Sequence, residues 1–426
     1  MVIVREGAAL VIFLATVLTI VARPSRIPEW LAAVAGVFAM VAVGAESASD
    51  ALRAAAAQWD VLLFFAGLMT VVAVAESAGF FSWVAFVVAR AANGSARRLF
   101  LAVVLACAII SALLTNDAAA LLMTPLVFGL ASDLRLRPLP FAFGCTFMAN
   151  SASLVLPISN PVNLMIAESA HLRLGTYLTL LWLPSLAAVG ATFGVLWIVL
   201  GRKLRRRFDE SLIAAEPIDD PRYRSEVTAL LALTAAALIA VSAAGKLVGV
   251  AACAAALVML GHAALRRRLD ARRVLGDANP TIVLLIAALF ALTQGVLRSG
   301  LLSGPLDALL RLSNLHSGLA SAMTAIGATA AANVFNNLPT AALVVAALQH
   351  PSMTGALAHR VAAGAIVGCD LGPNFTTVGS LSTMLWLVLL RRRGLEVSSL
   401  AYVKIGMLVA PVTVALAVGA LLLTAR

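Results

Sequence analysis

TNDAAA at residues 115–120 and FNNLPT at residues 335–340 are polar strings set inside apolar segments, and their spacing decides the fold. Asn116 and Asn336 lie 220 positions apart, and so do Asp117 and Asn337. The same step carries a later break, PISNP at 157–161, onto TVGSL at 377–381. A repeat whose polar centres fall inside apolar segments is the pattern of a membrane transporter with its binding site at mid-membrane.

The composition agrees. Of the 426 residues 62% are hydrophobic and 12% charged, and the mean hydropathy is +1.00. A soluble chain of this length could not bury that much apolar surface. Many apolar runs approach the ~20 residues a helix needs to cross a bilayer. Alternating strands of the β-barrel type are absent from the sequence. The net charge of +11 sits in short loops without interleaved aromatics, so the partner it implies is the lipid bilayer and not nucleic acid. Cys107, Cys145, Cys253 and Cys369 are scattered, with neither CxxC nor Cys/His metal spacing, so no cofactor, metal or disulfide framework is expected. The first apolar run is followed by RPSR and no small-residue cleavage site, so it reads as a retained span.

Spans are predicted near 7–22, 28–44, 60–79, 139–168 and 174–201, and again near 226–245, 247–264, 280–299, 357–390 and 402–424. Residues 98–131 and 317–350 read as re-entrant hairpins with their polar tips at Asn116-Asp117 and Asn336-Asn337. The mixed stretches 80–95 and 301–313 read as interfacial arms. A hairpin returns to the side it left, so each half makes five crossings. Five is odd, and the halves therefore face opposite ways. The expected fold is an all-α membrane protein of about ten transmembrane helices in two inverted repeats, each with a re-entrant hairpin and a broken helix. The repeats are residues 1–207 and 226–426, joined by a cytoplasmic linker, 208–225. With RKLRRR (202–207) in the cytoplasm, most of the 31 basic residues fall on that side. This places the chain in an inner membrane with loop 202–225 cytoplasmic and both termini outside.

A helix that stops inside the bilayer leaves up to four N–H or C=O groups unpaired at each broken end. Such ends persist only when buried in protein or facing a wet cavity. Two hairpin tips and two unwound stretches, near 157–163 and 371–380, should therefore converge on a small polar chamber. Its expected lining is Thr115, Asn116, Ser159, Asn160, Asn163, Asn336, Asn337, Thr376, Thr377 and Ser380, together with Asn150, the repeat mate of Asp370. Asp117 and Asp370 are the proton-carrying candidates. Asp117 pairs in the repeat with Asn337, so each half supplies one carboxylate at a non-equivalent place. An acid at membrane depth favours its neutral form unless paired, which suits a proton carrier. Glu76, Asp60, Lys246 and Arg298 read as interfacial residues. Cys369, beside Asp370, is the cysteine closest to the chamber, with plain packing its simpler reading.

Four stretches carry a resemblance to a known family: WDVLLFFAGLMTVVAVAESAGFFSW (59–83), LLTNDAAALLMTPLV (113–127), SNPVN (159–163) and GCDLGPNFTTVGSLSTMLW (368–386). On these the chain resembles the ArsB-type arsenite/antimonite efflux permeases of the ion transporter superfamily. NNLPT (336–340) is similar to that family's NNMPT, with Leu338 in place of methionine, and Pro161 in the first break is the other departure. The resemblance implies an elevator-type carrier that exports arsenite or antimonite in exchange for protons. It also implies a homodimer and, for some members, an ArsA-type ATPase partner. Trivalent arsenic at neutral pH is mostly As(OH)₃, which calls for amides, hydroxyls and carbonyls and not for a fixed cation. The expected chamber has no Lys or Arg. Sodium/proton antiport and silicic acid efflux are the rival transport readings. An intramembrane aspartyl protease is a remote one, because Cys369 replaces a glycine that its GxGD motif needs, and proteolysis leaves the repeat unexplained.

Overall fold

The computed structural model describes residues 2–22, 27–204, 207–213, 220–278, 280–298, 317–392, 395 and 397–425. The expected arm at 301–313 lies outside them. The first half contains α1 (Val2–Ala22), α2 (Glu29–Ala42), α3 (Ala48–Ala57), α4 (Trp59–Ser77), α5 (Phe80–Ala91) and α6 (Ala96–Leu113). It continues with α7 (Thr124–Asp133), α8 (Leu139–Ala152), α9 (Pro161–Ser169) and α10 (Leu174–Val199). The second half contains α11 (Pro221–Ala243), α12 (Val248–Leu265), α13 (Ala271–Ala278), α14 (Thr281–Arg298) and α15 (Ser317–Phe335). It ends with α16 (Asn337–Leu348), α17 (Gly355–Leu371), α18 (Leu381–Arg392) and α19 (Ser399–Thr424). The helices α1–α4 match α11–α14, and α6–α10 match α15–α19, in order and approximate length. Among the described residues the only β-pairing is a single bridge between Ser95 and Arg207.

Eight described helical stretches are long and apolar enough to cross a membrane. They include α6 and α15, the first arms of the two hairpins. Length alone would let these arms cross. Their contacts instead bring the tips to the helix breaks, as described below. Two expected crossings are split: α8–α9 by short 3₁₀ turns at Ser153–Val155 and Pro157–Ser159, and α17–α18 by a 3₁₀ turn at Gly372–Asn374 followed by irregular turns up to Ser380. The sequence reading did not anticipate α3 and α13. Both are short and carry charge, ASDALRAAAA and ARRVLGDA, so a search for long apolar runs passes over them. They occupy equivalent places in the repeat, α3 packed on α14 and α13 on α4.

The halves interleave. Helix α4 packs on α12, α2 on α14, and α10 on α19. Close approach is built from small residues, which suits helices in lipid, where packing and not hydrophobic exclusion drives association. At Gly249 a Cβ would lie 2.1 Å from the Asp60 carbonyl oxygen, so α12 meets α4 backbone to backbone. Outward faces are apolar and exposed, with Phe38 at 70% and Leu257 at 69%, as a lipid-facing belt requires.

At one end of the molecule the Arg97 guanidinium donates to the Arg202 carbonyl at 3.0 Å, and the Phe208 amide donates to the Gly94 carbonyl at 2.9 Å. The segments that carry Arg97 and Arg202 therefore meet at that end. A different loop cluster holds a cavity of about 600 Å³, lined by residues that include Asp60, Glu168, Arg173 and Lys246.

Candidate functional site

Asp370 is the centre of the polar cluster. It sits near the C-terminal end of α17, is 1% exposed, and belongs to the second half. Its carboxylate accepts from the side-chain amides of Asn160 at 2.5 Å and Asn163 at 2.8 Å, both from the first half. The local sequence explains why those amides are in place. Asn160 is extended (φ −145°, ψ 136°), and Pro161 fixes the first helical position of α9. The Asn160 side-chain oxygen caps α9 by accepting from the Val162 amide at 3.2 Å, which leaves its NH₂ free to reach the carboxylate. Asn163 follows one turn on and also donates to the Ser153 carbonyl at 2.9 Å, satisfying an acceptor freed where α8 unwinds.

The break of the second half reaches back in the same way. Asn374 accepts from Asn150 at 3.1 Å and donates to the Ser151 hydroxyl at 2.9 Å. Ser151 bonds Thr192 at 2.7 Å, and Thr192 meets Thr413 at 3.2 Å. A buried polar thread thus runs from the breaks into the α10–α19 pair. Ser153 returns its hydroxyl to the Asn150 carbonyl at 2.7 Å.

Each hairpin tip docks on the break of its own half. Ser159 donates to the Ala112 carbonyl at 2.5 Å, next to the first tip. The Asn337 amide donates to the Gly379 carbonyl at 2.9 Å, and the Asn336 side chain donates to the Val378 carbonyl at 3.0 Å. At the first tip the Thr115 hydroxyl accepts from the Ala118 amide at 3.0 Å, capping the return. Asp117 is half-buried, and Ser382, at the start of α18 in the other half, donates to its carboxylate. Both carboxylates are therefore gripped across the repeat, but by separate partners, and they do not form the shared dyad a protease would need.

The remaining expected residues are in the same region with weaker links. Thr376 is half-buried and donates to Asn333 at 2.8 Å. Thr377, Ser380 and Cys369 are buried. Among the described residues no side-chain hydrogen bond joins them to Asp370. Asn116 and Asn163 each keep a buried side-chain oxygen without a protein donor. No Lys or Arg contacts Asp370 among the described residues, and no group of His, Cys, Asp and Glu there could hold a metal. Sequence reasoning missed Asn374, Ser382, Ser151, Thr192 and Thr413. The first two lie inside the quoted GCDLGPNFTTVGSLSTMLW stretch and were legible there as polar residues of a break. The others are single hydroxyls in apolar helices, which usually bond their own backbone.

Interleaved helical halves, apolar outer faces and a polar centre at broken helices define a polytopic membrane transporter. A family profile described as citrate transporter (CitMHS) matches residues 8–368, and the chain belongs to that family. It is 29% identical over 360 residues to the arsenical pump membrane protein of Yersinia enterocolitica, covering 82% of this chain and 83% of that one. It is 28% identical over 408 residues to the arsenical pump membrane protein of Escherichia coli K12, covering 93% and 94%. Its fold is similar to that of the YdaH transporter of Alcanivorax borkumensis, whose crystal structure was described as revealing an unusual topology. The TM-score is 0.55 at 17% identity, over 86% of this chain and 84% of that one.

Proposed function

We propose that this transporter exports arsenite and antimonite, as neutral trihydroxides, from the cytoplasm in exchange for protons. The observation that carries the reading is the grip on Asp370: one buried carboxylate held by two asparagine amides from the opposite half, with no cation beside it. A carboxylate so placed exchanges a proton without binding an anion. The free oxygens of Asn116 and Asn163 suit the hydroxyl protons of As(OH)₃. A citrate ion would bring several negative charges to a centre that already holds two aspartates, which favours a neutral guest. The names of the similar pump proteins support the same substrate class. Voltage does no work on a neutral solute, so proton coupling supplies the drive, about 2.3 kcal/mol per charge per 100 mV. Elevator motion, the 1–207 and 226–426 domain division, an inner membrane with both termini outside, the homodimer and the ATPase partner belong to this reading through the repeat and the family resemblance.

The test is uptake into everted vesicles with an imposed pH gradient. Arsenite and antimonite should accumulate when the lumen is acid and should stop doing so when a protonophore removes the gradient. Silicate, sodium and citrate arms run in parallel. Gradient-driven flux of one of those, with none of the metalloids, replaces the proposal with that rival.

A further inference from the structure

Asp60 and Glu168 face each other at the cavity of about 600 Å³, on a different set of loops from those of Arg97 and Arg202. Asp60 belongs to the first turn of α4, which packs on α12. Glu168 belongs to the last turn of α9, the helix whose first turn grips Asp370. Both carboxyl groups line this one cavity, where α9 packs against α4, and the two groups interact electrostatically. Asp60 is 6% exposed, and its Oδ1 accepts from the Gly249 amide at 3.0 Å, at the N-terminal turn of α12. A helix N-terminus favours an anion at Asp60, so Glu168 is the member of the pair placed to carry a proton. Two carboxylates that interact in this way cannot both ionise cheaply. His171 and Arg173 in the turn after α9 and Lys246 after α11 line the same cavity, and α17, which packs on α9, carries His359 and Arg360 in its first turns. Among the described residues neither Arg173 nor Lys246 closes an ion pair with either carboxyl, so a proton is what relieves the pair.

We propose that Asp60 and Glu168 form a second proton-binding site, in which one shared proton fastens α9 to α4 at the mouth of the cavity. The ligand is the proton. Its release sets two negative charges against each other and frees the end of α9, and α9 carries both asparagines of the central site. Protonation on this side is thereby linked to the position of Asn160 and Asn163. The link to transport rests on the function proposed above; the proton site itself does not.

Infrared difference spectra of the reconstituted protein across a pH series test the site. A protonated-carboxyl band that disappears as pH rises is expected. It should be absent in Glu168→Gln and altered in Asp60→Asn. Backbone hydrogen exchange over 161–169, corrected for its intrinsic pH dependence, should accelerate with pH in the native protein. In Glu168→Gln that acceleration should be lost. Asp370→Asn separates the two readings: it should abolish metalloid flux and leave the Glu168 band in place. A band or an exchange response unchanged in both Glu168→Gln and Asp60→Asn, in protein that remains monodisperse, overturns the proton site.

Discussion

The two hairpin tips descend from one repeat and are built differently. The first, TND, returns through a π-helical turn at Ala118–Met123 and carries a carboxylate. The second, FNN, returns at once into regular α16 and carries two amides. It does so at the cost of Asn336, which sits at φ 76°, ψ 155°, a region essentially reserved for glycine. Two side-chain bonds of Asn336, to the Leu338 amide and the Val378 carbonyl, hold it there. The neighbouring helix pairs differ in the same sense. In the second half α17 lies directly on the α15 backbone: a Cβ at Gly364 would come 2.2 Å from the Ser321 carbonyl oxygen, and one at Gly368 would come 2.4 Å from that of Ala325. In the first half the mate of Gly364 is Gly144, whose nearest neighbours are side-chain atoms of Val104 and Phe100. The half that supplies Asp370 has the tight, strained tip. The half that supplies the gripping amides has the looser one, with the wide π turn that recurs at functional sites.

Substitutions can break or sharpen this contrast. Asp370→Asn should have the largest effect. It replaces two charge-assisted hydrogen bonds, each worth about 1.5–3 kcal/mol, and should lower pH-driven metalloid flux by more than about a hundredfold in protein that still runs as a single species. Asp117→Asn removes one such bond and keeps an acceptor for Ser382, so the same vesicle assay should register a loss of roughly tenfold to a hundredfold. Equal and negligible effects of both changes would remove the proton-carrier role.

Stability measurements address the packing difference. Gly364→Ala forces a methyl against backbone and should cost about 3 kcal/mol, whereas Gly144→Ala asks only side chains to shift and should cost about 1 kcal/mol. Thermal melts in detergent should rank them in that order. Asn336→Ala loses both retaining bonds and keeps the backbone strain, so it should melt below Asn336→Gly, where the strain is relieved, by about 1–3 kcal/mol. Cys369→Ser should be mildest, with flux within about threefold of the native protein. Loss of all flux in that variant would bring a thiolate contact into the mechanism.

The architecture was legible because lipid makes polar residues conspicuous. The doubled spacing from Asn116 to Asn336 and the two broken stretches could be read without a partner in view, and the structure brings tips and breaks together. What could not be read was pairing across the halves. Asn160 and Asn163 announce a break, but nothing local says that Asp370 is their common acceptor. Asp117 stands out as an acid, while Ser382, which donates to it, is one more hydroxyl in a stretch rich in them. The helices α3 and α13 stayed hidden for another reason: they are too short and too polar to produce a membrane signal. Asp60 and Glu168 were hidden because each, alone, is what an interfacial anchor looks like.

The grip on Asp370 also bears on how the chain is made. Asn160 and Asn163 leave the ribosome 210 and 207 residues ahead of the carboxylate that completes them. The early half therefore enters the bilayer with two amides that must wait for their acceptor. Assembly of the centre is a late event, reached only after nearly the entire polypeptide has been synthesised, and a truncated product cannot contain it.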